Sequence, residues 1–375
     1  MAVTFHQIPA AYSPSDNPLM YRFSSNQTAQ ANFSFIVKAT LGGTVLIESK
    51  IFPEVGIYAH YDASDVVKYK IPKPILTNVL AQSNGTMLNL SLTVTENYGT
   101  TPINQASATS TITRTWKGSL SSEDFLLKDF NADYKGKLFL TNAPRANNIQ
   151  VLRGQDVYLE QIVDTGGLVS LFLRFYNSAG VLLDTITTGY NFPIWQLNLK
   201  DTIITDMAPV DILNVAYFTV QIGTSEILTL EYFDDYCNKP FALMWMNEYG
   251  AFDQFIFKHN NELSYNVDSS SYRSQFGSWV GSSFVYSVVN SGSIDYVKNI
   301  KHSGTITTDF VSEAFQNYLI ELFNSPFYLL TDVNGYVITI TVTNNGYKED
   351  QARFDELLML EVNYAKSSSH KSLTI

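Results

Sequence analysis

The sequence predicts a mainly β protein, with two Ig-like β-sandwich domains followed by an α+β or helix-covered β-barrel domain. Short apolar runs alternate with period two, Gly, Pro and Asn separate them, and a single stretch shows convincing helical spacing. Aromatic residues make up 14% of the chain and charged residues only 16%, enough apolar material for large cores and too little charge for a disordered chain. A single core stops growing at roughly 250–300 residues, so 375 residues imply more than one. The expected division is an extended N-terminal arm at 1–30, sandwiches at 31–117 and 118–240, an α+β domain at 241–365 and a flexible tail at 366–375.

Pro9, Pro14 and Pro18, set among Ser, Asp and Asn, predict the arm, which would lie against a neighbouring subunit. Phe33, Phe35, Val37 and Ala39 then share one face, Gly42-Gly43 turns the chain, and 44–52 returns as a partner strand. Leu88, Leu90, Leu92 and Val94 alternate again, and 109–116 closes the first sandwich. Strands at 137–141, 157–163, 168–176, 181–187, 215–222 and 227–232 would build the second, with hairpins at Gly166-Gly167 and at 177–180. In the third region Val311, Ala314, Phe315, Tyr318, Leu319 and Leu322 have helical spacing, with Thr308 or Asp309 as N-cap and Pro326 beyond the end. A hairpin turning at 332–335 follows, then the alternation of Leu358, Leu360, Val362 and Tyr364.

The stretch 243–257, LMWMNEYGAFDQFIF, is the most distinctive. Leu243, Trp245, Phe255 and Phe257 are expected to face one layer, and Asn247, Glu248, Tyr249 and Gly250 to reverse the chain.

A formal net charge of −11 argues against wrapping a nucleic-acid backbone, which needs clustered Lys and Arg. Lys68, Lys70 and Lys73 form the densest basic stretch and read as edge protection. One cysteine, Cys237, excludes an intramolecular disulfide framework. No basic-then-apolar leader opens the chain, and no run reaches the roughly 18 apolar residues of a membrane span, so no membrane insertion is expected. The Asn-x-Ser/Thr sites at Asn26, Asn32, Asn84 and Asn89 reflect a strand-rich composition.

No catalytic constellation stands out, and the chain is expected not to be an enzyme and to need no cofactor. His6, His60, His259, His302 and His370 are scattered without metal-ligand spacing. Asp234 and Asp235 are adjacent, and neighbouring side chains on a strand point to opposite faces, unlike a glycosidase pair. The 332–335 quartet lacks the distal ligands of a calcium loop. Trp195, Tyr272, Trp279 and Tyr286 are the candidate contact residues, for another subunit or for a glycan ring, since aromatic faces serve either purpose.

Three segments carry a resemblance: SPSDNPLMYRF, WMNEYGAFDQFIF and ELFNSPFYLLTDVNGYVITITV. Together they resemble virion structural proteins of short-tailed phages infecting Bacteroidetes, the crAss-like group included. In such proteins a Pro-Asn-Pro-like arm leads into β-sandwiches, and a pattern matched here by Trp245, Asn247, Gly250, Asp253, Phe255 and Phe257 recurs later. The resemblance implies a subunit of the tail hub or of a neck or collar ring, a homo-oligomer docked to other phage tail or neck proteins and located in the virion after synthesis in the host cytoplasm. The helix followed by Asn324-Ser325-Pro326 and a hairpin favours the hub. DNA would pass such an acidic wall without being specifically bound. The alternative is a glycan-binding adhesion protein that recognises a host receptor with the same sandwiches.

Overall fold

The computed structural model describes residues 3–371 apart from 55, 74–75, 77–79, 84–86, 164–167, 191–193, 208–210, 235–239, 275–276, 287–291, 333, 345–358 and 368–369. Strands account for 51% of the chain and helices for 12%, so the protein is mainly β, with several sheets and no barrel among the described residues. The helix-covered barrel expected for the third region is therefore not formed. The chain divides into two compact units, one of Met1–Phe233 with Trp245–Gln254 and one of Asp234–Met244 with Phe255–Ile375.

In the first unit the alternation at Phe33, Phe35, Val37 and Ala39 becomes strand Ser34–Leu41, whose inward residues are almost wholly buried. It lies between Thr44–Ile51 and Leu88–Tyr98, and the sheet continues through Thr113–Trp116 to Tyr12–Pro14. Residues 109–116 do not form one strand: Ile103–Thr109 and Thr113–Trp116 pair separately with Leu88–Tyr98. Facing residues Val37, Leu90, Leu92 and Val94 join Leu19, Tyr21 and Phe23 in one core, where Phe23 meets Phe35 edge-on at 5.0 Å. Each such fully buried side chain contributes about 1.5–3 kcal/mol.

The N-terminal residues are not a free arm. Strands Thr4–Gln7, Met20–Ser24 and Tyr58–Asp62 form a three-stranded sheet, and Leu19, Tyr21 and Phe23 are completely buried. An alternating apolar triplet directly after Pro18 can bury one face, and that gain outweighs the turn chemistry of the prolines.

A second sheet of this unit runs Ile149–Val151, Leu228–Tyr232, Tyr217–Ile222, Val169–Tyr176 and Leu182–Tyr190. Its core is Leu171, Leu173, Phe175, Phe218 and Val220, all completely buried. The expected strand at 137–141 is reduced to an isolated bridge between Phe139 and Gln161. The Phe139 amide bonds the Glu226 carboxylate at 2.6 Å instead of a strand partner. Strand Ala81–Ser83, from the first expected sandwich, pairs with Ile194–Asn198, which also pairs with Tyr158–Ile162. The segments 31–117 and 118–240 thus share a sheet. Gly166-Gly167, Cys237 and Asp235 lie outside the described residues.

The second unit contains helix Glu313–Ile320, extended by a 3-10 turn, Glu321–Asn324. Ser312 stands at the N-cap rather than Thr308 or Asp309. Both expected caps are engaged elsewhere: Thr308 Oγ1 accepts from the Leu360 amide at 2.9 Å, and Asp309 pairs with Lys258 at 2.7 Å. Strands Tyr328–Thr331 and Val337–Val342 form the expected hairpin. Leu360, Val362 and Tyr364 are buried on and beside strand Glu361–Lys366, while Leu358 lies outside the described residues. In the tail expected to be flexible, His370–Lys371 pairs with Asn299 and Ile300. The longest strands of the protein, His259–Ser274 and Gly292–Thr307, form an antiparallel ribbon in this unit.

Candidate interaction surface

The distinctive stretch forms strands Phe241–Met246 and Phe252–Phe257 joined by the expected turn. The Asn247 amide bonds the Ala251 carbonyl at 2.9 Å, and the Gly250 amide returns to the Asn247 carbonyl at 3.0 Å. Gly250 has φ +74°, and a Cβ there would sit 1.6 Å from the Lys117 carbonyl oxygen. Only glycine fits both the backbone conformation and the approach. The Trp116 indole N–H donates to the Tyr249 carbonyl at 2.9 Å, and Ser119 N–H to the Glu248 carbonyl at 2.8 Å. Tyr249 and Ala251 complete a core with Tyr12, Trp116, Leu120, Phe130, Tyr134, Leu140 and Ile162.

Polar groups fix the rest of this turn. Asn247 donates to the Leu140 carbonyl and to Asp253, each at 2.9 Å, and its own oxygen accepts from the Ala251 amide. Asp253 also accepts from the Thr141 hydroxyl and from the Asn142 amide. Burial pushes the Asp253 carboxyl up to about 6, against the opposing pull of these donors and of Arg145. Lys128 donates to Glu248 at 3.0 Å and to the Tyr249 hydroxyl at 2.6 Å. Burial opposes the charge on Lys128, but Glu248, Tyr134 and Asp124 outweigh it and hold its pKa above the usual lysine value. Asp253 is buried among donors that satisfy its oxygens, and it ties the turn to residues 141–142.

Expected layer-mates separate at the ends of this motif. Leu243, Trp245 and Phe257 are completely buried, and Ala242 and Met244 on the alternate positions are buried too, so the first strand is covered on both faces. Phe255 is only half-buried and packs edge-on against Phe257 and Phe315.

Of the four candidate contact residues, two come together. Strands Gly277–Val280 and Ser283–Tyr286 pair as a hairpin that places Trp279 opposite Phe284 and Gly277 opposite Tyr286. Trp279, Phe284 and Tyr286 make an aromatic ladder with centroids 5.4 and 5.2 Å apart. Trp279 is 67% and Tyr286 72% exposed, and on the opposite face Val280 and Val285 are exposed as well. Tyr272 lies in the ribbon strand His259–Ser274 and is exposed. Trp195 lies elsewhere, in strand Ile194–Asn198 opposite Gln161 and Ser83, and its side chain is outside the described residues.

Sequence reasoning missed the ribbon. Every residue from Tyr265 to Arg273 is exposed, so this strand is covered on neither face. Two signals marked it: no proline occurs between Pro240 and Pro326, and no charged residue between Arg273 and Asp295. Modest apolar content hid the period, because Ser, Asn and Asp fill most positions of strand His259–Ser274. Among the described residues no group of three or more His, Cys, Asp or Glu side chains is placed to hold a metal ion. No helix of the described residues is long and apolar enough to cross a membrane.

No protein-family model matches the chain, and no curated protein matches it.

Proposed function

We propose that this chain is a structural subunit of a phage particle, at the tail hub or in a neck or collar ring, acting by symmetric self-assembly and docking to neighbouring virion proteins. In this reading the strands of 31–117 and 118–240 are two Ig-like sandwiches serving as stiff bodies. The observation that supports it best is the exposed ribbon together with the aromatic hairpin between its strands, since apolar side chains uncovered on both faces of a β-element suit an association surface. The polar residues of the Trp245–Phe257 motif are engaged in packing and hydrogen bonding, as expected of a mechanical part. The acidic balance would keep an axial passage from gripping DNA.

Light scattering on the purified chain, followed by particle imaging of the same sample, tests the reading. A closed ring supports it, and a persistent monomer that does not assemble with neighbouring virion proteins overturns it. A second reading, a glycan-binding adhesion protein, draws on the Trp279–Phe284–Tyr286 ladder, whose open face suits stacking on a sugar ring. A monomer that binds host glycan and loses that binding on Trp279→Ala would favour this alternative.

A further inference from the structure

We propose that the ribbon is the element through which copies of this chain join, edge to edge, with strand His259–Ser274 of one copy pairing with the Gly292–Lys298 stretch of strand Gly292–Thr307 of the next. The proposal rests on the ring reading above and names the surface that would make the ring.

Three observations carry it. The first is the state of the edges. Strand His259–Ser274 ends its sheet, and among the described residues it pairs with no strand except Gly292–Thr307. Among the described residues, strand Gly292–Thr307 in turn pairs with Glu361–Lys366 over Ser303–Thr307 alone and with His370–Lys371 at Asn299 and Ile300 alone. From Lys298 back to Gly292 the ribbon is two strands wide. A long strand edge without proline is a template for further pairing, and a two-stranded ribbon by itself is marginally stable in water.

The second observation is charge. Residues 259–307 hold three acids, Glu262, Asp268 and Asp295, and three bases, Arg273, Lys298 and Lys301, so the ribbon is formally neutral in a chain of −11. Copies repel one another through the remainder of the chain and meet without that repulsion here. Asp268 and Lys301 already pair at 2.8 Å within the ribbon.

The third is the two-sided pattern. Tyr265 opposite His302 and Val267 opposite Ile300 share one face, while Asn266 opposite Lys301 and Asp268 opposite Asn299 share the other. A ribbon laid along the His259–Ser274 edge would lie beside Tyr265 and Val267 on one face and beside Asn266 and Asp268 on the other.

The geometry also selects the partner strand. The two edges of a ribbon point in opposite directions, so rotation about an axis along it sets the His259–Ser274 edge of one copy beside the Gly292–Thr307 edge of its neighbour. The two strands are antiparallel within a ribbon, and they remain antiparallel between copies. Repeating this contact closes a ring and covers the open Gly292–Lys298 edge of every copy.

Two measurements test the inference on the full chain. Val267→Glu puts a charge on the apolar face at an exposed position, so the folded chain should keep its melting temperature at a dilution where it is monomeric. The assembled mass should be lost, while Leu182→Glu, an exposed change on a strand outside the ribbon, should leave the mass unchanged. Retention of the multimer by Val267→Glu overturns the ribbon contact and leaves the ring reading standing; a wild type that stays monomeric both alone and with neighbouring virion proteins overturns both.

The second measurement uses a short bismaleimide in a Cys237→Ser background, with Ser271→Cys on one preparation and Ser293→Cys on another. Covalent dimers should form when the two are mixed and be at least tenfold fewer with either alone. Dimers from Ser271→Cys alone would instead indicate a two-fold contact between identical strands and overturn the proposed pairing.

Discussion

Replacing Gly250 with alanine should unfold the protein more readily than a methyl addition at Gly43 or at the other described glycine turns. Two costs combine. A non-glycine residue held at φ +74° costs about 1–2 kcal/mol by itself. The added Cβ would also lie 1.6 Å from the Lys117 carbonyl oxygen and 2.6 Å from its carbon, inside any real contact distance. Relief requires the 248–250 backbone to retreat from 117–119, and that breaks the bonds from the Trp116 indole and the Ser119 amide. Each is worth about 1 kcal/mol net, more if a buried donor is left unpaired. The sum is about 3–5 kcal/mol. Gly43 supplies the control, because its φ is +84° and nothing lies within 4 Å of its Cβ position, so alanine there should cost only the conformational share. Urea denaturation followed by tryptophan fluorescence measures both variants. Equal losses for Gly250→Ala and Gly43→Ala would refute the close approach as the reason for this glycine.

Other perturbations separate the remaining claims. The Asp253 carboxyl is raised in the folded protein, so its ionised form opposes folding: its contribution is most favourable below about pH 3.8 and is lost as pH rises through about 6. Between pH 7 and pH 5 the wild type should gain about 1 kcal/mol relative to Asp253→Asn, and a pH-independent difference between the two in urea titrations would contradict the assignment. Trp245→Ala should cost about 3–5 kcal/mol, whereas Phe255→Ala, at a half-buried position, should cost about 1–3; a calorimetric comparison that reverses this order would overturn the burial argument. Trp279→Ser combined with Tyr286→Ser should leave monomer stability within about 0.5 kcal/mol, and a clear fall in Tm would mean that these side chains are covered within the chain.

Much of the β-structure was legible because one face of each strand had to be buried. Val37 and Leu92, or Leu171 and Phe175, announce their strands through strict alternation. Helix Glu313–Ile320 was legible through its spacing, but its N-cap was not, since the competing bonds of Thr308 and Asp309 come from Leu360 and Lys258, far away in sequence. The N-terminal sheet was hidden behind proline chemistry, although Leu19, Tyr21 and Phe23 already held the alternation. The turn at Asn247–Gly250 was readable as a reversal. Its role as the completing piece of a distant core was not, because the partners of Tyr249 lie more than a hundred residues earlier, at Trp116, Phe130 and Tyr134. Trp279 and Tyr286 are legible only as candidate contact aromatics, and the exposed ribbon that precedes and follows them is hidden for want of apolar residues.

The return of Trp245–Gln254 to the first unit sets a schedule for synthesis. A ribosome that has released the first 233 residues has delivered nearly all of that unit's strands, yet the space for Tyr249 and Ala251 beside Trp116 is still unfilled. The unit can be sealed only after residue 254 has left the exit tunnel, when translation of the second unit is already under way. A fragment cut at residue 240, the boundary the sequence suggests, should therefore emerge with an open seam, and expression trials that place the boundary beyond Gln254 should give the better-behaved piece.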